Sequence, residues 1–130
     1  MLVETLETAH TWSGLERLYR AVGQALRGAL PQPLVMCHVS HLYEAGASLY
    51  FTFLASVEPG AELETWRTAK HAASEAIVAA GGTITHHHAV GRDHRRWLAA
   101  EASPLGLDAL RAAKERLDPA GVMNPGKLLP

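Results

Sequence analysis

The sequence predicts an α+β domain. Its core is a ferredoxin-like βαββαβ antiparallel sheet with two helices on one face, and C-terminal helices follow. Three observations carry the prediction. Two β-rich runs at the centre of the chain, 34–43 and 47–57, are separated only by Glu44-Ala45-Gly46, which reads as a hairpin. Apolar residues at spacings of three and four flank that hairpin on both sides and predict one helix before it and one after. Short β-prone segments, Leu2 to Glu7 and Thr83 to Thr85, lie at the outer ends of the pattern and supply the first and fourth strands.

Each element has its own signal. Thr11 or Ser13 can cap the first helix, because a side-chain oxygen there can accept an orphaned amide. Leu15, Leu18, Tyr19, Val22, Leu26 and Leu30 form its apolar stripe, and Pro31 ends it. In the second hairpin strand Leu49, Phe51 and Phe53 share the core face, while Tyr50, Thr52 and Leu54 share the other. Pro59-Gly60 closes that strand. Leu63, Trp66, Ala73, Ile77 and Ala80 mark the second helix, stopped by Gly81-Gly82. Two further helices are predicted over 92–102 and 104–117, with turns at Asp118-Pro119 and Asn124-Pro125-Gly126. With helices on one side only, the opposite sheet face is left open, either to solvent or to another domain.

Composition narrows the function classes. The 130 residues fit one domain, 1–130, and 48% hydrophobic against 19% charged residues suits a packed core. Twelve Lys and Arg against thirteen Asp and Glu leave a formal charge of −1, without the basic excess of a nucleic-acid binder. The single cysteine, Cys37, excludes an internal disulfide and reads as a core residue. No apolar run reaches the roughly 20 residues of a membrane span. The N-terminus has no basic-then-apolar leader, so a cytoplasmic protein is the expectation.

The chemistry concentrates in Gly82-Thr83-Ile84-Thr85-His86-His87-His88-Ala89, followed by Arg92, His94, Arg95 and Arg96. On an extended segment His86 and His88 point one way and His87 the other. Three readings stay open on spacing alone. They are metal ligation, with His38 or His41 as the other plausible ligands; proton transfer or anion contact; and a polar strand end in solvent. No Cys, Asp or Glu lies beside the histidines in sequence. Tyr50 is either an exposed β-former or, with a basic neighbour, an acid/base. The arginines form either a solvated helix face or a phosphate or carboxylate contact. There is no GxGxxG, no phosphate-cradling loop with its Lys-Ser/Thr and no nucleophile elbow, so the residues present read as half of a site.

The runs GGTITHHHAVGRDHRRWL and LRAAKERLDPAGVMNPGKLL, with VETLETAHTWSGL and CHVSHLYEAGASLYFTF, resemble the C-terminal domain of FAD-linked oxidases of the vanillyl-alcohol-oxidase type. Within that group the triple histidine resembles the alkyldihydroxyacetonephosphate synthase branch. The resemblance implies a larger enzyme whose FAD-binding domain lies outside these residues, with this chain as the cap over the flavin; the chain alone would be inactive. It implies Tyr50 as acid/base, with His87 and His88 assisting and His86 and Asn124 contacting the cofactor. Arg92 and Tyr43 would meet a small-molecule or lipid-phosphate substrate. The synthase reaction exchanges an acyl chain for a fatty alcohol through a flavin N5 adduct, without net redox change. A related branch, the 2-hydroxyacid dehydrogenases, holds a metal at positions matching Tyr43, Tyr50, His87 and His88. Tyrosine is a poor replacement for an imidazole ligand, so no resident metal is expected. A cap of such a dehydrogenase or oxidase is the alternative. A stand-alone binding module that forms a homo-oligomer through its open sheet face is a second alternative. Neither nucleic-acid binding nor membrane contact by this chain, beyond peripheral contact through other parts, is expected.

Overall fold

The computed structural model describes residues 1–129 and divides into two compact units, 1–88 and 89 onward. The first unit contains β1 (Leu2–Thr11), α1 (Trp12–Ala29), β2 (Leu34–Leu42), β3 (Gly46–Ala55) and α2 (Glu62–Ala79). The strands form an antiparallel sheet of order β1-β3-β2. β3 is therefore central, and it carries the densest core pattern: Ala47, Leu49, Phe51, Phe53 and Ala55 are all buried. Leu18, Val22 and Leu26 of α1 have no exposed surface, and Ala69, Ala73 and Ile77 of α2 join them. The small residues of α2 let it pack closely. Full burial of a Phe or Leu side chain contributes about 1.5–3 kcal/mol.

Two caps differ in how well sequence anticipates them. Thr11 sits at the N-cap of α1 with extended dihedrals, but no side chain caps the helix. Its hydroxyl instead meets His10 Nδ1 at 3.0 Å and Ser13 Oγ at 3.2 Å. At the end of α2 the two glycines act as expected. Gly81 takes φ of 75°, Gly82 N–H donates to Ile77 O and Gly81 N–H donates to Val78 O, which is a Schellman motif.

Gly46 marks a close approach. It faces Thr11 across the ladder, and a Cβ there would lie 2.1 Å from the His10 carbonyl oxygen. That oxygen is backbone and cannot swing aside. Gly46→Ala should cost about 1–3 kcal/mol as an overpacking change, read as a lower urea midpoint. A midpoint unchanged within error would contradict this strand register.

The α+β class stands, but the expected fourth strand over Thr83–Thr85 does not form a ladder. Thr83 N–H donates to Ala9 O at 3.1 Å and Thr83 O accepts from Thr8 Oγ1 at 2.6 Å, so the segment starts beside β1. Beyond Thr85 the amides turn to a side chain of β1 instead of its backbone, and pairing stops.

In the second unit α3 (Leu98–Leu117) is broken at Ser103, whose φ of 61° and ψ of 161° are non-helical. Pro104 starts the second half, and Ser103 Oγ accepts from Gly106 N–H at 3.3 Å, as an N-cap does. Helix over 104–117 is thus as the sequence suggests, whereas 92–97 forms turns. Asp118 ends the helix by accepting from the amides of Val122 and Met123 at 3.0 and 2.9 Å, and it pairs with Lys114. Among the described residues no helix is long and apolar enough to cross a membrane.

Candidate functional site

The site lies on the sheet face that the helices leave uncovered. Alternation places Val3, Thr5 and Glu7 of β1 on this face. The register sets them against Leu54, Thr52 and Tyr50 of β3, and those against Leu34, Met36 and His38 of β2. One end of the face is apolar, with Val3, Leu34 and Met36 all exposed. The other end carries the row Glu7, Tyr50, His38.

Glu7 is the exception on this face, being only 2% exposed. The segment 85–88 folds over it. Glu7 Oε1 accepts from the backbone amides of His86 and His88, each at 2.7 Å, from the amide of His87 and from Thr85 Oγ1 at 3.0 Å. Three consecutive amides aimed at one anion form a nest, which explains why these residues leave the β-ladder. Burial pushes the Glu7 carboxyl up. The amides of His88 and His87, the Thr85 hydroxyl and the His86 amide more than offset it, and hold the group below its ordinary value of 4.5. The carboxylate that is missing beside the histidines in sequence therefore comes from β1.

With its backbone so held, the loop presents its rings to the hairpin. His87 stacks on Tyr50 at 6.4 Å between centroids, and His88 meets the same tyrosine edge-on at 5.3 Å. His86 Nε2 lies 3.0 Å from the Tyr43 hydroxyl. A β-bulge between Val39 and Leu42 re-aims His41. Buried Ser48 fixes the bulge by accepting from His41 N–H at 3.1 Å, with Ser40 Oγ 2.7 Å from its own hydroxyl. The His41 ring consequently sits 5.2 Å from His86 and 5.1 Å from His87. Ligand atoms of His41, His86 and His87 lie within 4.8 Å of one another, close enough to share a cation.

The structure thus brings together Tyr43, Tyr50, His86, His87 and His88 and adds Glu7 and His41. Arg92 and Asn124 belong to the second unit. There Arg95, from the same basic run, donates to Gly126 O at 3.1 Å, and Asn124 occupies a turn with φ of 48°. That unit has its own groove of about 560 Å³, lined by Val90, Leu110, Leu117, Met123 and Leu128 among others. Cys37 packs against the core, and burial pushes its thiol up to about 11, which removes it as a nucleophile near neutral pH.

A family model for the C-terminal domain of FAD linked oxidases matches residues 1–128. Alkyldihydroxyacetonephosphate synthase of Trypanosoma brucei brucei is 32% identical over 131 residues, covering 98% of this chain and 21% of that protein. An uncharacterised FAD-linked oxidoreductase of Escherichia coli K12, YgcU, is 27% identical over 135 residues, covering 97% of this chain and 28% of its own length. A solved alkyldihydroxyacetonephosphate synthase structure superposes with a TM-score of 0.61 at 23% identity, over 95% of this chain and 20% of that one. The chain thus spans about a fifth to a quarter of the relatives it matches.

Proposed function

The chain belongs to the family of FAD linked oxidase C-terminal domains, and from that premise we propose that it forms the substrate-side wall of an FAD site. The family is one of FAD-linked oxidoreductases and synthases. The observation that carries the reading is Tyr50, flanked by His87 and His88 on an uncovered sheet face. A phenol and imidazoles exchange protons but accept no hydride, so this donor set fits a partner that supplies the two-electron or electrophilic chemistry. Bound FAD would supply it.

The residues of this chain then divide the remaining work. Tyr50 is the acid/base, its proton exchanged with the substrate. His87 and His88 stabilise or relay that proton, a role worth on the order of 10²–10⁴-fold in rate. His86, tied to Tyr43, lines the same wall. The apolar strip of Val3, Leu34 and Met36 suits coverage by the flavin-bearing part of an enzyme better than exposure to water. Arg92 as a phosphate contact and Asn124 as a cofactor contact rest on resemblance alone.

The substrate class we favour is a lipid phosphate of the acyl-dihydroxyacetone-phosphate type, because the relatives named alkyldihydroxyacetonephosphate synthase align over essentially the whole chain, the histidine motif included. A 2-hydroxyacid oxidase is the alternative. Flavin absorbance in the flavin-bearing enzyme separates them. Product formation from acyl-dihydroxyacetone phosphate and a fatty alcohol without lasting bleaching supports the synthase reading, and stoichiometric bleaching by a 2-hydroxyacid replaces it.

The second reading with an observation behind it is a metal centre at His41, His86 and His87. Against it, His86 Nε2 already meets the Tyr43 hydroxyl, and His41 Nδ1 lies 3.1 and 3.2 Å from the hydroxyls of Ser40 and Ser48. We expect far less than one zinc or manganese per chain by elemental analysis. One equivalent that survives dialysis would establish the metal reading.

A further inference from the structure

Glu7 is an ionisable group of this cluster to which the proton exchange assigns no task. It is also the most constrained. Four donors converge on Oε1, so the carboxylate cannot rotate without breaking the nest. Its other oxygen, Oε2, is buried and receives no well-directed hydrogen bond among the described residues. The groups facing it are His87 Nδ1 at 2.8 Å and His86 Nδ1 at 3.4 Å.

We propose that Glu7 is a positioning residue that sets the tautomer of His87, holding it as Nδ1–H, and through it that of His86. A carboxylate only accepts, so a ring nitrogen 2.8 Å from it, though not in line for a full hydrogen bond, is favoured as N–H over a lone pair turned to the anion. The tautomer of His86 follows from that of His87. With its Nδ1 accepting from His87, Nε2 carries the proton and donates to the Tyr43 hydroxyl 3.0 Å away. The two Nδ1 atoms are hydrogen-bonded to each other at 3.1 Å, so only one of them carries the proton, and the shorter carboxylate contact assigns it to His87. His87 is then left with Nε2 as its sole accepting nitrogen. A relay through His87 runs in one sense: Nε2 accepts a proton first, and ionised Glu7 stabilises the ring charge that results. Glu7 itself neither gains nor loses a proton, and it touches neither substrate nor cofactor.

This inference rests on the proton-exchange reading above but is tested apart from it. Nitrogen-15 NMR on the 130-residue chain reports which ring nitrogen bears the proton. The informative variant is Glu7→Gln. Its carbonyl oxygen can keep the Oε1 contacts, while its amide places a donor where Oε2 stood and so favours a lone pair on His87 Nδ1. The expected result is Nδ1–H for His87 and Nε2–H for His86 in the parent, with His87 switching to Nε2–H in the variant. Backbone amide signals of residues 86–88 should stay dispersed, which reports that the nest survives. His87 of the parent found as Nε2–H, or a His87 tautomer unchanged in a folded Glu7→Gln, overturns the inference. If the variant collapses the nest, Glu7→Asp with the parent tautomer retained supports the proposal, and a lost tautomer preference there overturns it. In the flavin-bearing enzyme, a switched tautomer with unchanged turnover supports the positioning role and overturns the relay instead.

Discussion

Tyr50→Phe in the flavin-bearing enzyme is expected to lower turnover on the order of 10²–10⁴-fold while leaving the flavin bound. The substitution is narrow. Tyr50 lies at the middle of the sheet face, between Glu7 on β1 and His38 on β2, and Phe keeps its strand preference and its ring contacts with His87 and His88. Among the described hydrogen bonds none binds its hydroxyl within the fold, so the stability change should stay within about 0.5 kcal/mol. Loss of turnover with an unchanged melting temperature and an unchanged flavin spectrum therefore isolates the phenolic proton. Turnover within twofold of the parent would remove Tyr50 from the acid/base role and leave the histidines to carry it. The same experiment on Tyr43 is a control, since its hydroxyl is committed to His86 Nε2. Tyr43→Phe should cost less, because it loosens one imidazole without deleting the reacting group.

The parts of this fold that can be read in sequence are those fixed by period. Leu18, Val22 and Leu26 recur as a helix requires, and Leu49, Phe51 and Phe53 recur as a half-buried strand requires; all six are buried where the spacing puts them. Gly81-Gly82 and Pro104 act through backbone dihedrals alone, so their positions are legible without partners. The misses share a different cause. The extent of the fourth strand depends on a competition between β1's backbone and the Glu7 side chain for the amides of 86–88, and nothing local records which acceptor wins. The bulge at Ser40-His41 depends on Ser48, across the hairpin. Glu7 itself is legible only once the register is known. It then stands out as a carboxylate paired with Tyr50 on a face that otherwise carries apolar and neutral side chains beside β1. The grouping of Tyr50 with the histidines came from family resemblance; the residue types and spacing alone left metal, proton transfer and solvent all open.

Because so much of the site hangs from one buried carboxylate, Glu7→Ala should be as damaging to the first unit as truncation of a buried core phenylalanine. Truncation leaves three backbone amides and the Thr85 hydroxyl without their acceptor. Each buried unsatisfied donor costs about 1–3 kcal/mol, but water reaches the exposed side of the loop, so a total of about 3–5 kcal/mol is expected. The same group should impose an acid limit on stability. Its folded pKa lies below the 4.5 of the unfolded reference. The unfolded chain therefore binds the proton more readily, and stability is fully present above that reference and lost as pH falls through the folded value. Urea unfolding followed by circular dichroism should show this loss below pH 4.5 in the parent, and a shallower acid slope in Glu7→Gln, whose amide does not titrate. An identical acid slope in the two proteins would move the linkage to other carboxyls. A Glu7→Ala chain within about 1 kcal/mol of the parent would mean that the histidine loop holds its shape without the nest, and the tyrosine–imidazole geometry would then need another support.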